Sequence, residues 1–236
     1  MNEPRRAQLE RNLDLVRQRI DSAAKAAGRS ASEITLIVVT KYFPASDVEI
    51  LAQLGVQDVG ENKHQEAQAK AEQCASLPIR WHYIGGMQSN KAAQIARYVD
   101  VVHSVDRLKL LSRLDLGASE RDDPLAVLIQ VNLDPPQQRE SSRQGVDPHE
   151  VMTMAKAISE AAHLRLRGVM GIAPLDLDAA PAFTRLAQLS GQVRDEFPEA
   201  TWISAGMSAD LESAIEAGAT HVRVGSGILG QRPQMK

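Results

Sequence analysis

The sequence predicts a single (β/α)8 barrel of the TIM type, and three observations lead to this fold class. The chain has 236 residues, about the length that one such barrel commonly uses as a single domain. Short runs rich in β-branched residues alternate with longer segments of helical period. Eight such runs follow one another, and no Pro/Gly/Ser-rich linker divides the chain. An open doubly wound sheet is the alternative arrangement of the same units.

The first element is an amphipathic helix, which Gly28 can end as a C-cap. We expect one domain over 1–236, with this helix over about 5–28 and the barrel over about 34–230. The apolar positions of the helix recur every three to four residues, at Leu9, Leu13, Val16 and Ile20.

Each expected strand is a short apolar run, and most of the helical segments between strands begin with a capping residue. The run at 58–60 is the shortest and could also be a loop. The polar stretch 133–148 follows the fifth run and is expected to be a loop on the functional face. The expected strands are 34–40, 58–60, 81–85, 101–104, 126–132, 165–171, 201–205 and 221–225.

Composition and charge exclude several classes of function. The net charge of -3 gives no general attraction for phosphate backbones or anionic lipid, and aromatic residues, at 3%, are too few for a base-stacking surface. No stretch of about 18 apolar residues occurs, and the N-terminus has no apolar region of signal-peptide type. We therefore expect a cytoplasmic protein that binds neither nucleic acid nor membrane. The single cysteine, Cys74, excludes an internal disulfide and is expected to pack in the interior.

Candidate functional residues follow from the barrel, because the carboxyl ends of its strands carry the chemistry. Taken alone, a lysine at such an end is more often a surface cation whose stem lies along apolar residues. The barrel hypothesis instead brings together polar groups from distant parts of the chain at one mouth. Those at or just after strand ends include Lys41, Asn62, Ser208, Gly225 and Ser226, and Arg223 lies within the eighth strand.

Two of these strand ends have the character of a phosphate site. Loops after the seventh and eighth strands form the recurrent phosphate site of this barrel. Ser208 follows the seventh strand, and Gly225 and Ser226 follow the eighth. Small residues let the backbone approach a ligand, and a serine hydroxyl can donate to an anion. The alternative is that Ser208 is only a helix N-cap and the glycines only form turns.

Lys41 suits a reaction with the aldehyde of a phosphorylated ligand. An amine is a nucleophile only in its neutral form, and burial in an apolar barrel mouth penalises the charged form. Such a lysine could hold an aldehyde as a Schiff base. Composition and spacing do not identify the aldehyde.

Several motifs together resemble the pyridoxal phosphate homeostasis proteins, also called the YggS or PROSC family. The resemblance extends from about Leu9 to Gly230 and implies a barrel like the N-terminal domain of alanine racemase, with pyridoxal 5'-phosphate (PLP) held on Lys41. It also implies that PLP is surrounded by Asn62, Ser208, Arg223, Gly225 and Ser226. Gly86 departs from the family pattern, which usually has His or Pro there. The motifs are VVTKYFP, VGENKHQEA, WHYIGGMQSNK, VNL, GVMGIAP and SAGMSADLESAIEAGATHVRVGSGILG.

The resemblance implies a PLP carrier in vitamin B6 homeostasis, with effects on amino-acid metabolism, rather than an enzyme. An arginine facing the pyridine nitrogen, here Arg223, would disfavour protonation of the ring and restrain carbanion chemistry. We expect a monomer that passes PLP to apo-enzymes and has no catalytic residues of its own. A racemase of low activity is the alternative, but none of the tyrosines, Tyr42, Tyr83 and Tyr98, is evidently placed as its second base. A phosphosugar enzyme that uses no cofactor is the third hypothesis for the function.

Two further groups could be structural or functional. Neighbouring side chains alternate along a strand, so His82 could point into the barrel or away from it, and a packed histidine is at least as probable as a functional one. His64 lies near Glu61 and Glu66, a composition that suits a metal, but we interpret these residues as surface polarity at a helix start and expect no metal site.

Overall fold

The computed structural model describes residues 3–135, 144–175 and 177–231. Its sheet is a closed barrel of eight parallel strands that pair in chain order, with the last strand returning to the first. The predicted (β/α)8 fold class is confirmed, and the open-sheet alternative is wrong. Most of the polar stretch after the fifth strand, residues 136–143, lies outside the described residues.

All eight strands lie where the alternation of apolar runs predicts them. The short second run is a strand, because it pairs in parallel register with both neighbours. The strands are β1 (Thr35–Val39), β2 (Asp58–Glu61), β3 (Arg80–Tyr83), β4 (Val101–Val105), β5 (Leu125–Val131), β6 (Leu164–Gly171), β7 (Trp202–Ser204) and β8 (His221–Val224).

Helices surround the barrel, and α1 precedes its first strand. They are α1 (Glu3–Ala26), α2 (Ala45–Gln53), α3 (His64–Gln73), α4 (Ala92–Ala96), α5 (Leu111–Ala118), α6 (Val151–Ser159), α7 (Ala179–Glu196), α8 (Leu211–Glu216) and α9 (Ser226–Leu229). Within the three described ranges, no helix combines the length and the apolar character needed to span a bilayer.

The N-terminal helix α1 buries the apolar stripe that its sequence shows and packs against α8 and α9. Its polar residues bond the connections around the last two strands. Arg19 donates to the backbone oxygen of Ser208 at 3.0 Å, and Asn12 donates to that of Ile228 at 2.8 Å. Helix α1 thereby fixes the loops that follow β7 and β8.

The apolar core has two parts of unequal size. The larger part lies between the barrel and its helices. The smaller part lies inside the barrel and consists of Val101, Leu128 and Met170, with Ala126 and Trp202 packed against it. Other inward positions of the barrel carry polar side chains, which places buried hydrogen-bonding groups directly beneath the mouth.

Candidate functional site

Five of the six candidate residues line one cavity at the mouth of the barrel. The cavity has a volume of about 340 Å³ and opens at the carboxyl ends of β1, β7 and β8. A larger cavity of about 490 Å³ lies beside it, between α1 and α2, but contains none of the six candidates. The five candidates that line the mouth are Lys41, Ser208, Arg223, Gly225 and Ser226.

Closure of the barrel explains why these residues meet. Strand β8 pairs with β1, with Val38 opposite Val224, so the residues after these two strands are neighbours. Strand β7 pairs with β8 on the other side, which adds the loop that carries Ser208. The site therefore spans three consecutive strands of the closed barrel, although its residues come from both ends of the sequence.

Lys41 lies two residues beyond the end of β1 and is partly buried. The next residue, Tyr42, has a φ of 72°, which among the described residues is the one positive φ of a non-glycine. A left-handed conformation is uncommon for a bulky residue and needs support from its surroundings. The Lys41 ammonium lies 5.9 Å from the centre of the Tyr42 ring, and the Lys63 ammonium lies 4.5 Å from it.

A buried ion cluster of Lys70, Glu61 and Glu66 supports this turn from below. The Nζ of Lys70 donates to Glu61 Oε1, to Glu66 Oε1 and to the backbone oxygen of Thr40, each at 2.7 Å. The Glu66 carboxylate also accepts the backbone N–H of Tyr42 at 2.5 Å, and Glu61 accepts the hydroxyl of Thr40 at 2.6 Å. The residues on both sides of Lys41 are thus held by one cluster.

The interpretation of Glu61 as surface polarity is wrong. Its side chain is buried at the end of β2, and its Oε2 has no hydrogen-bond partner among the described residues. Burial raises the pKa of Glu61 above its ordinary value, and the Lys70 ammonium and the Thr40 hydroxyl oppose that rise. His64 instead contacts Tyr98 and Gln94 through its ring nitrogens. The described part of the chain contains no group of three or more His, Cys, Asp or Glu that could hold a metal ion.

The loops after β7 and β8 contact each other across the cavity. The backbone N–H of Gly227 donates to Ser208 Oγ at 3.4 Å, and Asp210 accepts the N–H of Met207 at 2.6 Å. Gly206 begins the first loop with a φ of 88°, and a Cβ there would lie 2.7 Å from Ala214 Cβ. Only glycine fits this tight start, which places the Ser208 hydroxyl beside the second loop.

Arg223 is the buried cation of the cavity. Its side chain donates to Ser204 Oγ at 2.6 Å and to the backbone oxygen of Gly171 at 2.9 Å, through different terminal nitrogens. Burial lowers the pKa of Arg223 to about 10, so the guanidinium is still charged at neutral pH. Two bonds of this kind fix the plane of the guanidinium.

Asn62 does not line the cavity, unlike the other five candidates. It follows β2, and the backbone of Gly85 approaches it so closely that a Cβ on Gly85 would lie 2.3 Å from the Asn62 backbone oxygen. The Asn62 Oδ1 is buried, and no hydrogen-bond partner for it is found within the described ranges. Its predicted contact with the cofactor stays a prediction.

Several residues at the site went unrecognised in the sequence. Thr40, Lys70 and Ser204 hold Lys41 or Arg223 in place. The four-residue spacing of Glu66 and Lys70 on one helix is the sequence signal that could have indicated their ion pair. Tyr42 lines the cavity, a position that was not evident from the sequence. Cys74 is buried, as its packing role requires.

Known proteins share this architecture. The family model for the N-terminal domain of alanine racemase matches residues 6–233. The solved alanine racemase from Corynebacterium glutamicum has the same fold, with a TM-score of 0.67 at 16% identity, covering 95% of this chain and 63% of the racemase. The chain is thus a (β/α)8 barrel of the alanine racemase N-terminal class.

Relatives with higher sequence identity show which family within this class the chain belongs to. The pyridoxal phosphate homeostasis protein of Mycobacterium tuberculosis is 42% identical over 247 residues, covering 97% of this chain and 94% of the relative. The solved structure of PipY from Synechococcus elongatus with PLP bound is 31% identical, with a TM-score of 0.81 and coverage of 94% and 100%. The chain belongs to the family of pyridoxal phosphate homeostasis proteins.

Proposed function

We propose that this protein binds PLP in the cavity at the barrel mouth, holds it as a Schiff base on Lys41, and takes part in intracellular PLP homeostasis. One observation carries the proposal. Lys41, Arg223 and two serines line a single cavity in a chain whose relatives are named for PLP homeostasis and whose relative PipY was solved with PLP bound. We further propose that the protein acts as a monomer and that apo-enzymes dependent on PLP receive the cofactor.

The residues present fit PLP in kind and in position. An aldehyde needs a primary amine, which Lys41 supplies, and a phosphate needs hydrogen-bond donors, which Ser208 and Ser226 supply on the adjoining loops. Gly225 lets its loop lie close to β1, because a Cβ there would lie 3.2 Å from the backbone oxygen of Val39. Small residues beside a cluster of hydroxyls suit close approach by an anionic group.

Bound PLP supplies a reactive aldehyde and a conjugated pyridine ring. The chain's own contribution is to position and restrain it. The Lys70 cluster fixes the backbone on both sides of Lys41, so its amine is presented from a rigid turn. The charge of Arg223 disfavours a second positive charge on a ring nitrogen bound nearby, which limits the ring as an electron acceptor. Both features suit holding the cofactor more than turning over a substrate.

Titration with PLP and with pyridoxal, which lacks the phosphate, tests the proposal. Absorption of the Schiff base reports binding of both compounds. Ser208→Ala and Ser226→Ala should each weaken PLP binding by about 10-fold or more, since a hydrogen bond to a charged group contributes roughly 1.5–3 kcal/mol. Binding of pyridoxal should change by less than about 2-fold, because the donor that each variant removes faces the phosphate, which pyridoxal lacks.

Ser112→Ala is the matched control, because Ser112 is exposed on α5 and far from the cavity in the barrel order. Its binding of both compounds should equal that of the wild type. The proposal would be wrong if PLP produced no absorption change, which is also what a cofactor-free phosphosugar enzyme predicts. Equal losses of PLP and pyridoxal binding in the serine variants would remove the phosphate assignment.

An amino-acid racemase of low activity is a second candidate, and one observation favours it. Tyr42 lines the cavity, and the centre of its ring lies 5.9 Å from the Lys41 ammonium, so its hydroxyl is a candidate for a second proton-transferring group. Incubation of the PLP-loaded protein with an amino acid in deuterium oxide measures exchange at the α carbon. Exchange that is lost in Tyr42→Phe but retained in Tyr98→Phe would support the racemase. The absence of exchange would leave the carrier function.

A further inference from the structure

A chain of hydrogen-bonded side chains crosses the inside of the barrel and ends at Arg223. Asp58 Oδ1 lies 2.8 Å from His82 Nε2, and His82 Nδ1 lies 2.8 Å from His103 Nε2. His103 Nδ1 lies 2.9 Å from Ser204 Oγ, which accepts from Arg223 at 2.6 Å. All five side chains are buried. We call these five residues the interior chain.

The two ends of the interior chain determine the direction of its bonds. Arg223 can only donate, so Ser204 Oγ accepts there and its own hydrogen is free to point at His103 Nδ1. His103 then accepts at Nδ1 and carries its proton on Nε2, from which it donates to His82 Nδ1. His82 likewise carries its proton on Nε2 and donates it to the Asp58 carboxylate. Every bond points from the guanidinium toward the carboxylate.

The opposite direction of these hydrogen bonds is less favourable. If His82 were doubly protonated, His103 would accept at Nε2 and donate at Nδ1, and Ser204 Oγ would receive two donors. The Ser204 hydrogen would then have no acceptor among the side chains that contact it in the described structure, in a residue that is 0% exposed. A buried hydroxyl without an acceptor costs about 1–3 kcal/mol.

Charges around the interior chain also favour neutral histidines. Arg80 already neutralises Asp58 with two bonds of 2.9 Å, so a charged His82 is not needed as its counterion. Burial lowers the pKa of His103 well below its ordinary value, and the charge of Arg223 lowers it further.

We infer that Asp58, His82, His103 and Ser204 are positioning residues that hold the Arg223 guanidinium in one orientation at the PLP cavity, with both histidines neutral and protonated on Nε2. The significance of this device for cofactor binding rests on the proposed function. Arg223 reaches the cavity from the barrel interior, and Ser204 together with the Gly171 carbonyl fixes both of its terminal nitrogens. A fixed tautomer chain behind a functional group is a general means of orienting it.

Nitrogen NMR of the full-length protein without ligand tests the tautomers directly. With ¹⁵N-labelled histidine, His82 and His103 should each show a protonated Nε2 and an unprotonated Nδ1 at neutral pH. With ¹⁵N-labelled arginine, the two terminal nitrogens of Arg223 should give separate signals, because bonds at both positions slow rotation of the group. A protonated Nδ1 on His103 would overturn the inference.

Ser204→Ala removes the link between His103 and Arg223, and Ser104→Ala is its matched control. Ser104 is also buried in a barrel strand, but its hydroxyl has no partner within the described ranges. Ser204→Ala should shift the His103 Nδ1 signal, merge the Arg223 signals and weaken PLP binding by about 2- to 10-fold. Ser104→Ala should change none of these. Ser204→Cys, which keeps an atom at the γ position but replaces the hydroxyl by a weakly hydrogen-bonding thiol, is used if the alanine variant fails to fold, with the same expected changes.

The outcomes separate this inference from the proposed function. Identical spectra and affinities for the Ser204 and Ser104 variants would show that the interior chain does not position Arg223. Wild-type protein that shows the expected tautomers but binds no PLP would overturn the proposed function and leave the orientation of Arg223 established. Protein that binds PLP but shows the reversed tautomers would overturn the inference alone.

Discussion

Replacement of Lys70 by methionine tests whether the buried ion cluster stabilises the turn that carries Lys41. Lys70 is 5% exposed and has three acceptors at 2.7 Å. Among the described residues, Lys70→Met leaves the buried Glu61 carboxylate with one remaining partner, the Thr40 hydroxyl. Breaking a buried ion pair from one side typically costs about 3–5 kcal/mol. At about 2–4 °C per kcal/mol for a domain of this size, the Tm should fall by about 6–20 °C.

Urea and thermal unfolding measure this loss, with Lys156→Met as the matched control. Lys156 pairs with Glu196 at 3.4 Å on the surface, and both side chains are more than half exposed. An exposed pair of this kind contributes less than about 1 kcal/mol. The double variant Glu61→Gln/Lys70→Met should recover part of the loss, because it no longer buries an unpaired carboxylate.

The pH dependence gives a second criterion for the same variant. The folded-state pKa of Glu61 is already raised by burial, and loss of the Lys70 ammonium should raise it further. Protonated Glu61 carries no unpaired charge, so the stability lost in Lys70→Met should be smaller near pH 5 than near pH 8. If Lys70→Met were as stable as Lys156→Met at both pH values, the cluster would not support the turn.

Two further predictions concern stability. His221 is buried near His82, Asp58, Arg80 and Arg167, and burial lowers its pKa to about 3. Between about pH 6.5 and pH 3, the unfolded chain therefore binds a proton at this histidine that the folded chain does not bind. The contribution of His221 to stability should fall by about 2 kcal/mol from pH 7 to pH 5. In urea titrations, His221→Gln should reduce the loss of stability over this range by that amount, whereas the exposed His149→Gln should not. Gly206→Ala should destabilise by about 1–3 kcal/mol because of its φ of 88° and the nearby Ala214 Cβ. Gly191→Ala should instead stabilise by about 0.5–1 kcal/mol, because a Cβ there would meet no atom of the described residues within 4 Å apart from the neighbouring backbone of its own helix. Equal effects of the two glycine variants would contradict the steric argument.

Local patterns were sufficient to predict the fold. Strands of a closed parallel barrel are buried on both faces, so most of them read as a short apolar run between helical segments. The positions just after those runs then indicated Lys41, Ser208 and Ser226 without any knowledge of pairing. Pairing of β8 with β1 then completes the site, because it brings residues from both ends of the chain to one mouth of the barrel.

Contacts between distant residues could not be predicted in this way. Alternation along β3 left both directions open for His82, and its partner His103 depends on the register between β3 and β4. Ser204 and His103 are 101 residues apart and meet only inside the closed barrel. Glu61 was misread because one residue at a strand end can belong to the barrel or to the helix that follows.

Borohydride reduction of the PLP-loaded protein, followed by peptide mapping, tests the central claim most directly. Reduction fixes PLP to the lysine that holds it, and Lys41 should carry the label. Lys63→Ala is the control, because Lys63 lies beside the same Tyr42 ring and should leave labelling unchanged. The account predicts one labelled peptide, containing Lys41, that is lost in Lys41→Ala. A label on Lys63, or undiminished labelling in Lys41→Ala, would contradict it.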